Sequence, residues 1–258
     1  MSFLEKACLK AWKRVSEGYY DLKEELSRGS LSLTGALNKD PSLICELKFR
    51  SPTRGELRSP REPIEIAREM MMGGADALSV LTDPDHFSGS IKYLSEISKT
   101  ISLPTLMKDF IVSKVQIEAA RRAGASAILL IYPIFARGYS RDLTLRDAID
   151  YAHDLGLEVL LEAYVSDDLR KSLSTDADLI GVNSRNLDTL DLSLERAYRM
   201  IEEVGETDRI VLESGIRSAH DISLFRRIGV KRFLIGTSVM SSKDIRLRVK
   251  ELKEGVGR

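Results

Sequence analysis

Eight short apolar runs alternate with amphipathic stretches between residues 43 and 253, and this alternation limits the possible folds more than any single motif. The runs cover 43–48, 77–81, 104–108, 126–131, 157–162, 178–182, 209–213 and 232–236. Apolar spacings of three and four predict helices over about 63–73, 90–100, 113–123, 142–155, 166–174, 193–204, 218–228 and 239–253. Short apolar strands, each followed by a helix, belong to a parallel sheet buried on both faces. Eight such units predict an α/β fold closed into a (β/α)8 TIM barrel. A doubly wound open sheet is the alternative. It would carry a phosphate fingerprint in its first turn, yet Lys48-Phe49-Arg50-Ser51-Pro52 is not glycine-rich. A faint internal echo at Gly74-Ala75-Asp76, Gly124-Ala125-Ser126, Asp176-Ala177-Asp178 and Gly229-Val230-Lys231 joins helix ends to strand starts and supports repetition.

No linker or low-complexity segment interrupts residues 43–253, so residues 1–258 read as one barrel domain with residues 1–40 as an N-terminal helical extension. Over 3–28, Leu4, Cys8, Trp12, Val15, Tyr19, Leu22 and Leu26 form an apolar stripe with a break near Gly18. The stripe is expected to dock on the main body. The tail from Glu254 to Arg258 is expected to fray.

Lys+Arg and Asp+Glu both number 39, which removes the long-range attraction that draws proteins to nucleic acid or anionic membrane. No apolar stretch reaches the ~20 residues of a membrane span. Met1-Ser2-Phe3-Leu4-Glu5-Lys6 meets charge at once and does not read as a signal peptide. Cys8 and Cys45 are distant and form no CxxC pattern, which points to a reducing, cytoplasmic setting. His86, His153 and His220 have no ligand spacing, so no metal is expected.

Four of the runs end in charge where a buried strand would end in a turn. Strand 1 ends with Glu46 and Lys48, strand 3 with Lys108, strand 5 with Glu162 and strand 7 with Glu213. Strand 6 runs into Asn183-Ser184-Arg185. Buried charge is costly unless it is paired or used, and recurrence at the downstream ends of parallel strands describes an active-site rim. Glu46, Glu162 and Glu213 balance Lys48, Lys108 and Arg185, so the set compensates itself when desolvated. A lysine beside carboxylates stays protonated and suits a general acid, while a buried carboxyl is tuned toward neutrality. Ser214-Gly215 after strand 7 and Gly236-Thr237 after strand 8 lie where barrels bind phosphate through backbone N–H groups. Phe87 and Phe110 are placed either to wall an aromatic substrate or simply to cover the barrel top.

At these residues the chain resembles the indole-3-glycerol phosphate synthase family. The likeness covers about residues 40–245 and rests on Glu46-Leu47-Lys48-Phe49-Arg50-Ser51-Pro52, Leu106-Met107-Lys108-Asp109-Phe110-Ile111, Leu161-Glu162, Gly181-Val182-Asn183-Ser184-Arg185-Asn186-Leu187, Glu213-Ser214-Gly215-Ile216 and Phe233-Leu234-Ile235-Gly236-Thr237-Ser238-Val239-Met240. The resemblance implies conversion of 1-(2-carboxyphenylamino)-1-deoxyribulose 5-phosphate to indole-3-glycerol phosphate in tryptophan biosynthesis, with loss of CO2 and water and no cofactor. It implies Lys108 as general acid, Lys48 holding the departing carboxylate or assisting proton transfer, and Glu162 as base or relay in the dehydration. Glu46, Asn183, Glu213 and Arg185 would orient these groups and stabilise the intermediate. Ser51, Ser214, Gly215, Gly236 and Thr237 would hold the phosphate, and Phe87, Phe110, Leu130 and Leu187 would line the anthranilate pocket. The one expected partner is the small phosphosugar–anthranilate substrate, with no nucleic acid and no membrane. The chain is expected to be a monomer, with a weak homodimer as the alternative. Tyr132-Pro133-Ile134-Phe135-Ala136-Arg137-Gly138-Tyr139, after strand 4, departs from the pattern by its bulk.

Two other readings remain at this stage. A phosphosugar isomerase would want a Cys/Asp acid–base pair, and Cys45 has no obvious acid partner. A non-catalytic barrel would tolerate replacement of the strand-end charges.

Overall fold

The computed structural model describes residues 1–23, 31–59 and 62–255. Strands β1 (Ser42–Leu47), β2 (Ala77–Leu81), β3 (Thr105–Lys108), β4 (Ala127–Ile131), β5 (Glu158–Ala163), β6 (Leu179–Asn183), β7 (Ile210–Glu213) and β8 (Arg232–Ile235) follow one another around a closed barrel. All neighbours are parallel, and β8 closes onto β1 with Ser42 opposite Arg232 and Cys45 opposite Ile235. The eight strands fall within a residue or two of the expected runs. Closure leaves no sheet edge open, which excludes the doubly wound alternative.

Most expected helices are present, and several have a local start signal. Ser113, Thr144 and Ser218 open helices Lys114–Arg122, Leu145–Asp154 and Ala219–Arg226 with capping boxes. The last expected helix, 239–253, is two helices, Thr237–Met240 and Ile245–Glu254. The Asp244 carboxylate accepts from Leu247 N at 2.8 Å and starts the second one. A two-stranded hairpin, Arg50–Ser51 with Gly55–Glu56, rises after β1 and was not foreseen.

Strand alternation divides the core into two shells. Cys45, Val80, Met107, Leu130, Leu161, Val182, Leu212 and Ile235 pack outward beneath the helices. Ile44, Leu106, Leu129, Leu160, Leu179, Val211 and Leu234 fill the barrel. The same parity turns Glu46, Lys48, Lys108, Glu162, Asn183 and Glu213 inward at the C-terminal end. The expected wall residue Leu130 is therefore a correction. It faces the helices, and its neighbours Leu129 and Ile131 face the interior.

The N-terminal residues serve both ends of the barrel. Helix α1 (Phe3–Ser16) lies across the C-terminal end, where Leu4 N donates to Leu187 O at 3.1 Å and Trp12 Nε1 donates to Tyr139 O at 2.8 Å. Leu4, Ala7, Cys8 and Ala11 are buried as the stripe predicts, while Leu26 and residues 256–258 lie outside the described residues. A short helix, Leu33–Ala36, closes the opposite end. Glu158, the first residue of β5, accepts from Thr34 N at 2.7 Å and Ser32 Oγ at 2.6 Å. Leu33 and Leu37 join the interior shell there. No helix among the described residues is long and apolar enough to cross a membrane.

Leu37→Ala is expected to cost about 2–5 kcal/mol, the range for a fully buried leucine. Urea unfolding checks this; a loss below ~0.5 kcal/mol, the scale of a surface change, would show that the plug carries no load.

Candidate active site

β3 and β7 stand half a turn apart in the barrel, yet one lysine connects them. The Lys108 ammonium lies 2.5 Å from Glu213 Oε2 and 3.1 Å from Glu162 Oε2. Register supports the contact, because β5 places Glu162 opposite Gly181, and β6 places Asn183 opposite Glu213. Asn183 Nδ2 donates to Glu162 Oε1 at 2.9 Å and orients that carboxylate from the side. On β1, Lys48 Nζ lies 2.6 Å from Glu46 Oε1. Arg185 N donates to Asn183 Oδ1 at 2.9 Å, and the Arg185 guanidinium donates to Leu190 O at 2.7 Å.

Two glycines make room for these carboxylates. A Cβ on Gly181 would collide with Glu213 Oε1, and one on Gly236 would collide with Glu46 Oε1 and crowd Lys48 Nζ. Gly236 thus has a steric role beside the phosphate role expected of it. Both backbones are approached by a charged group that a side chain would displace.

The site separates its carboxylates by environment. Burial works against the Lys108 charge, but Glu213, Glu162 and Glu46 outweigh it and raise its pKa above the ordinary lysine value. Glu213 is pushed the other way from a usual paired carboxylate. Burial raises its pKa, Lys108 only partly offsets this, and Glu162 and Glu46 add to it. Two carboxylates share one ammonium, so the second retains its proton more strongly. Glu213 Oε1 is buried against the Gly181 backbone and has no hydrogen-bond partner. For Glu46, burial is outweighed by Lys48 and Lys108, and its pKa falls below the usual range. Burial, with Arg54 nearby, lowers the pKa of Arg185, and this pair of crowded cations favours an anion.

These groups border one cavity of about 450 Å3, the size of a small-molecule site. Glu46, Lys48, Ser51, Phe87, Lys108, Phe110, Glu162, Asn183, Arg185, Leu187, Glu213, Ser214, Gly215, Gly236 and Thr237 all lie on it, and Leu130 does not. Leu129 and Ile131 take its place; Ile131 sits opposite Glu162, so counting parity from Glu162 would have found it. Phe87 and Phe110 stack at 6.3 Å between centroids, and Phe3 meets Phe110 edge-on at 6.0 Å. Phe3 comes from α1, outside the repeating pattern, and the sequence offered no signal for it. Arg54, Arg217 and Arg248 also border the cavity and had no distinguishing signal, because exposed-looking arginines in loops and terminal helices are common; Ser238, next to Thr237, borders it too.

The bulky segment after β4 serves to dock α1. Tyr132–Ala136 forms a helical turn, and Arg137 binds Asp188 at 2.8 Å beside the Tyr164 hydroxyl. None of residues 132–139 borders the cavity. Under α1, Arg14 is buried although it is not a member of the apolar stripe. Its guanidinium meets Asp109 Oδ1 at 3.0 Å, Asp85 Oδ2 at 2.5 Å and the Tyr20 hydroxyl at 3.1 Å. Asp109 also accepts from Thr82 Oγ1 at 2.6 Å and from Phe110 N at 2.8 Å. The extension is thereby bonded to the segment that carries both Lys108 and Phe110.

A closed parallel barrel with an acid–base cluster and glycine loops at its C-terminal mouth defines an enzyme acting on a small phosphorylated molecule. The indole-3-glycerol phosphate synthase family model matches residues 6–252, and the chain belongs to that family. The indole-3-glycerol phosphate synthase of Campylobacter curvus is 40% identical over 224 residues, covering 87% of this chain and 84% of that protein. The Koribacter versatilis enzyme of the same name is 42% identical over 211 residues, covering 82% and 79%. Among solved structures, thiamine phosphate pyrophosphorylase from Pyrococcus furiosus aligns with a TM-score of 0.59 at 19% identity, over 83% of this chain and 94% of that one. A 3-hexulose-6-phosphate synthase aligns with a TM-score of 0.63 at 14% identity, over 83% and 98%. These two share the fold.

Gly181→Ala is expected to push the Glu213 carboxylate off Lys108 and to lower kcat/KM about 10²-fold, the cost of a 1 Å displacement at a reacting group. The circular dichroism spectrum should not change. Full activity in this variant would mean that the Lys108–Glu213 contact is dispensable.

Proposed function

We propose that this cavity closes the indole ring of 1-(2-carboxyphenylamino)-1-deoxyribulose 5-phosphate and releases CO2 and water. The observation that carries the reading is Lys108, held between Glu162 and Glu213 in a cavity that it shares with an aromatic wall and the glycine loops. Phe87, Phe110, Leu187 and, in place of Leu130, Leu129 and Ile131 receive the anthranilate ring. Ser51, Ser214, Gly215, Gly236 and Thr237 receive the phosphate. The ketone of the extended substrate then lies near the Lys108 ammonium.

Lys108 donates its proton to the ketone oxygen as the carboxylate-bearing ring carbon attacks the ketone carbon. General acid catalysis of this kind needs a donor that is charged before the step, and the surrounding carboxylates keep it so. Lys48 and Arg185 attract the substrate carboxylate until CO2 leaves and the ring regains its aromaticity. Elimination of water follows, with Glu162 moving the proton and Asn183 fixing its orientation. Glu213 and Glu46 face the cationic, iminium-like intermediate. Burial beneath α1 keeps competing water from these steps.

The isomerase alternative loses its candidate base, because Cys45 lies on the outer face of β1 and burial pushes its thiol up to about 12. Both free cysteines are buried, which fits the proposed cytoplasmic location. One chain supplies every group used here, and a monomer is the proposed working form.

Lys108→Ala is expected to lower kcat by about 10² or more, within the usual range for loss of a general acid. Indole fluorescence during turnover of the carboxyphenylamino substrate reads this directly. Near-normal turnover would remove Lys108 from the acid role, and no turnover by folded wild-type protein would refute the reaction.

A further inference from the structure

Arg248 lies on the C-terminal helix Ile245–Glu254, away from the strand-end cluster, yet it borders the cavity. Its Nη2 donates to Ser238 Oγ at 2.8 Å, and its Nε donates to the same oxygen at 3.2 Å. Nη2 also donates to the Arg217 carbonyl, and Nη1 meets Glu251 Oε2 at 3.1 Å. One guanidinium therefore ties the segment after β7 to the segment after β8. The fork of arginine brings two nitrogens, Nε and Nη2, onto the one serine oxygen while Nη2 also serves the Arg217 carbonyl; a lysine ammonium has three N–H groups but only one nitrogen to place there.

The contact also decides what Ser238 is able to do. A serine hydroxyl has one hydrogen to donate and two lone pairs to accept with. Two Arg248 N–H groups occupy the accepting side. What remains is the hydroxyl hydrogen, on a residue that borders the cavity next to Thr237. A hydroxyl confined to donating suits an anion. Arg58 braces the far end of the same turn by donating to the Met240 and Ser242 carbonyls, which are neutral, so its positive charge is retained there.

We propose that Ser238 donates its hydroxyl hydrogen to the substrate phosphate, and that Arg248 is a positioning residue that holds Ser238 as a donor and sets the spacing of the two glycine loops. This rests on the phosphate placement given under the proposed function.

Inorganic phosphate, used as a competitive inhibitor and in calorimetric titration, tests it on the full chain. Wild type, Ser238→Ala, Arg248→Met and Arg248→Lys are compared. Ser238→Ala and Arg248→Met are each expected to weaken phosphate binding and raise KM about tenfold, the scale of one hydrogen bond to a charged group, with kcat within about twofold. Arg248→Lys should stay weakened, because it keeps the charge and loses the fork. Recovery of full phosphate affinity in Arg248→Lys would overturn the positioning role in favour of plain charge. Unchanged phosphate affinity in Ser238→Ala would overturn the donor role, and this nearly isosteric variant holds even if Arg248→Met fails to fold. If phosphate does not compete with substrate in the wild type, the phosphate placement itself is wrong. If it competes equally in all four proteins, the phosphate placement stands and both the Ser238 donor role and the Arg248 brace are wrong.

Discussion

The contact between Lys108 and Glu213 spans the barrel, and most other features of the site follow from it. A buried ammonium would be lost to desolvation without carboxylates at hand, and buried carboxylates would be equally costly without the ammonium. Glu162 enters as the second partner, which leaves two acids sharing one cation and raises the pKa of Glu213. Gly181 lacks a side chain because the Glu213 carboxylate occupies that space. Asn183 fixes Glu162 from the next strand.

The extension supplies what a bare barrel mouth lacks. α1 covers the open end with apolar side chains and contributes Phe3 to the aromatic wall. Arg14 bonds the helix to Asp109, directly after Lys108 in the chain. Leu33 and Leu37 close the other end. On the far rim, arginines from loops and from the last helix hold the glycine segments. The cavity is consequently polarised, with an aromatic wall on the β2–β3 side, cationic loops on the β7–β8 side, and the Lys108–Glu162–Glu213 cluster bordering the same space.

Most of the barrel was legible in the sequence because each strand–helix unit repeats one pattern with its own caps and turns. The rim was legible because a charge at the end of an apolar run has few structural explanations. Glu46 and Lys48 face inward together because they are two residues apart, and Lys108, Glu162 and Glu213 follow the same parity. Leu130 was misplaced by one position, since a run of five apolar residues gives no hint of which face is which until its register with Glu162 is known. Phe3 and Arg14 lie in a helix outside the repeat and Arg248 in its last helix; only tertiary packing brings Phe3 and Arg248 to the cavity and Arg14 onto Asp109. The single helix expected over 239–253 is two because Asp244 starts a new one, a local competition that apolar spacing does not register.

The central claim is that Lys108 is held charged by the carboxylates around it until it meets the substrate. Nitrogen-15 NMR of the lysine side chains, with Lys108 assigned by comparison with Lys108→Arg, measures its ionisation across pH. The account predicts that the Lys108 signal remains that of an ammonium beyond the ordinary lysine value of 10.5. A Lys108 signal that loses its proton below that value would contradict the account, because burial would then outweigh Glu213 and Glu162.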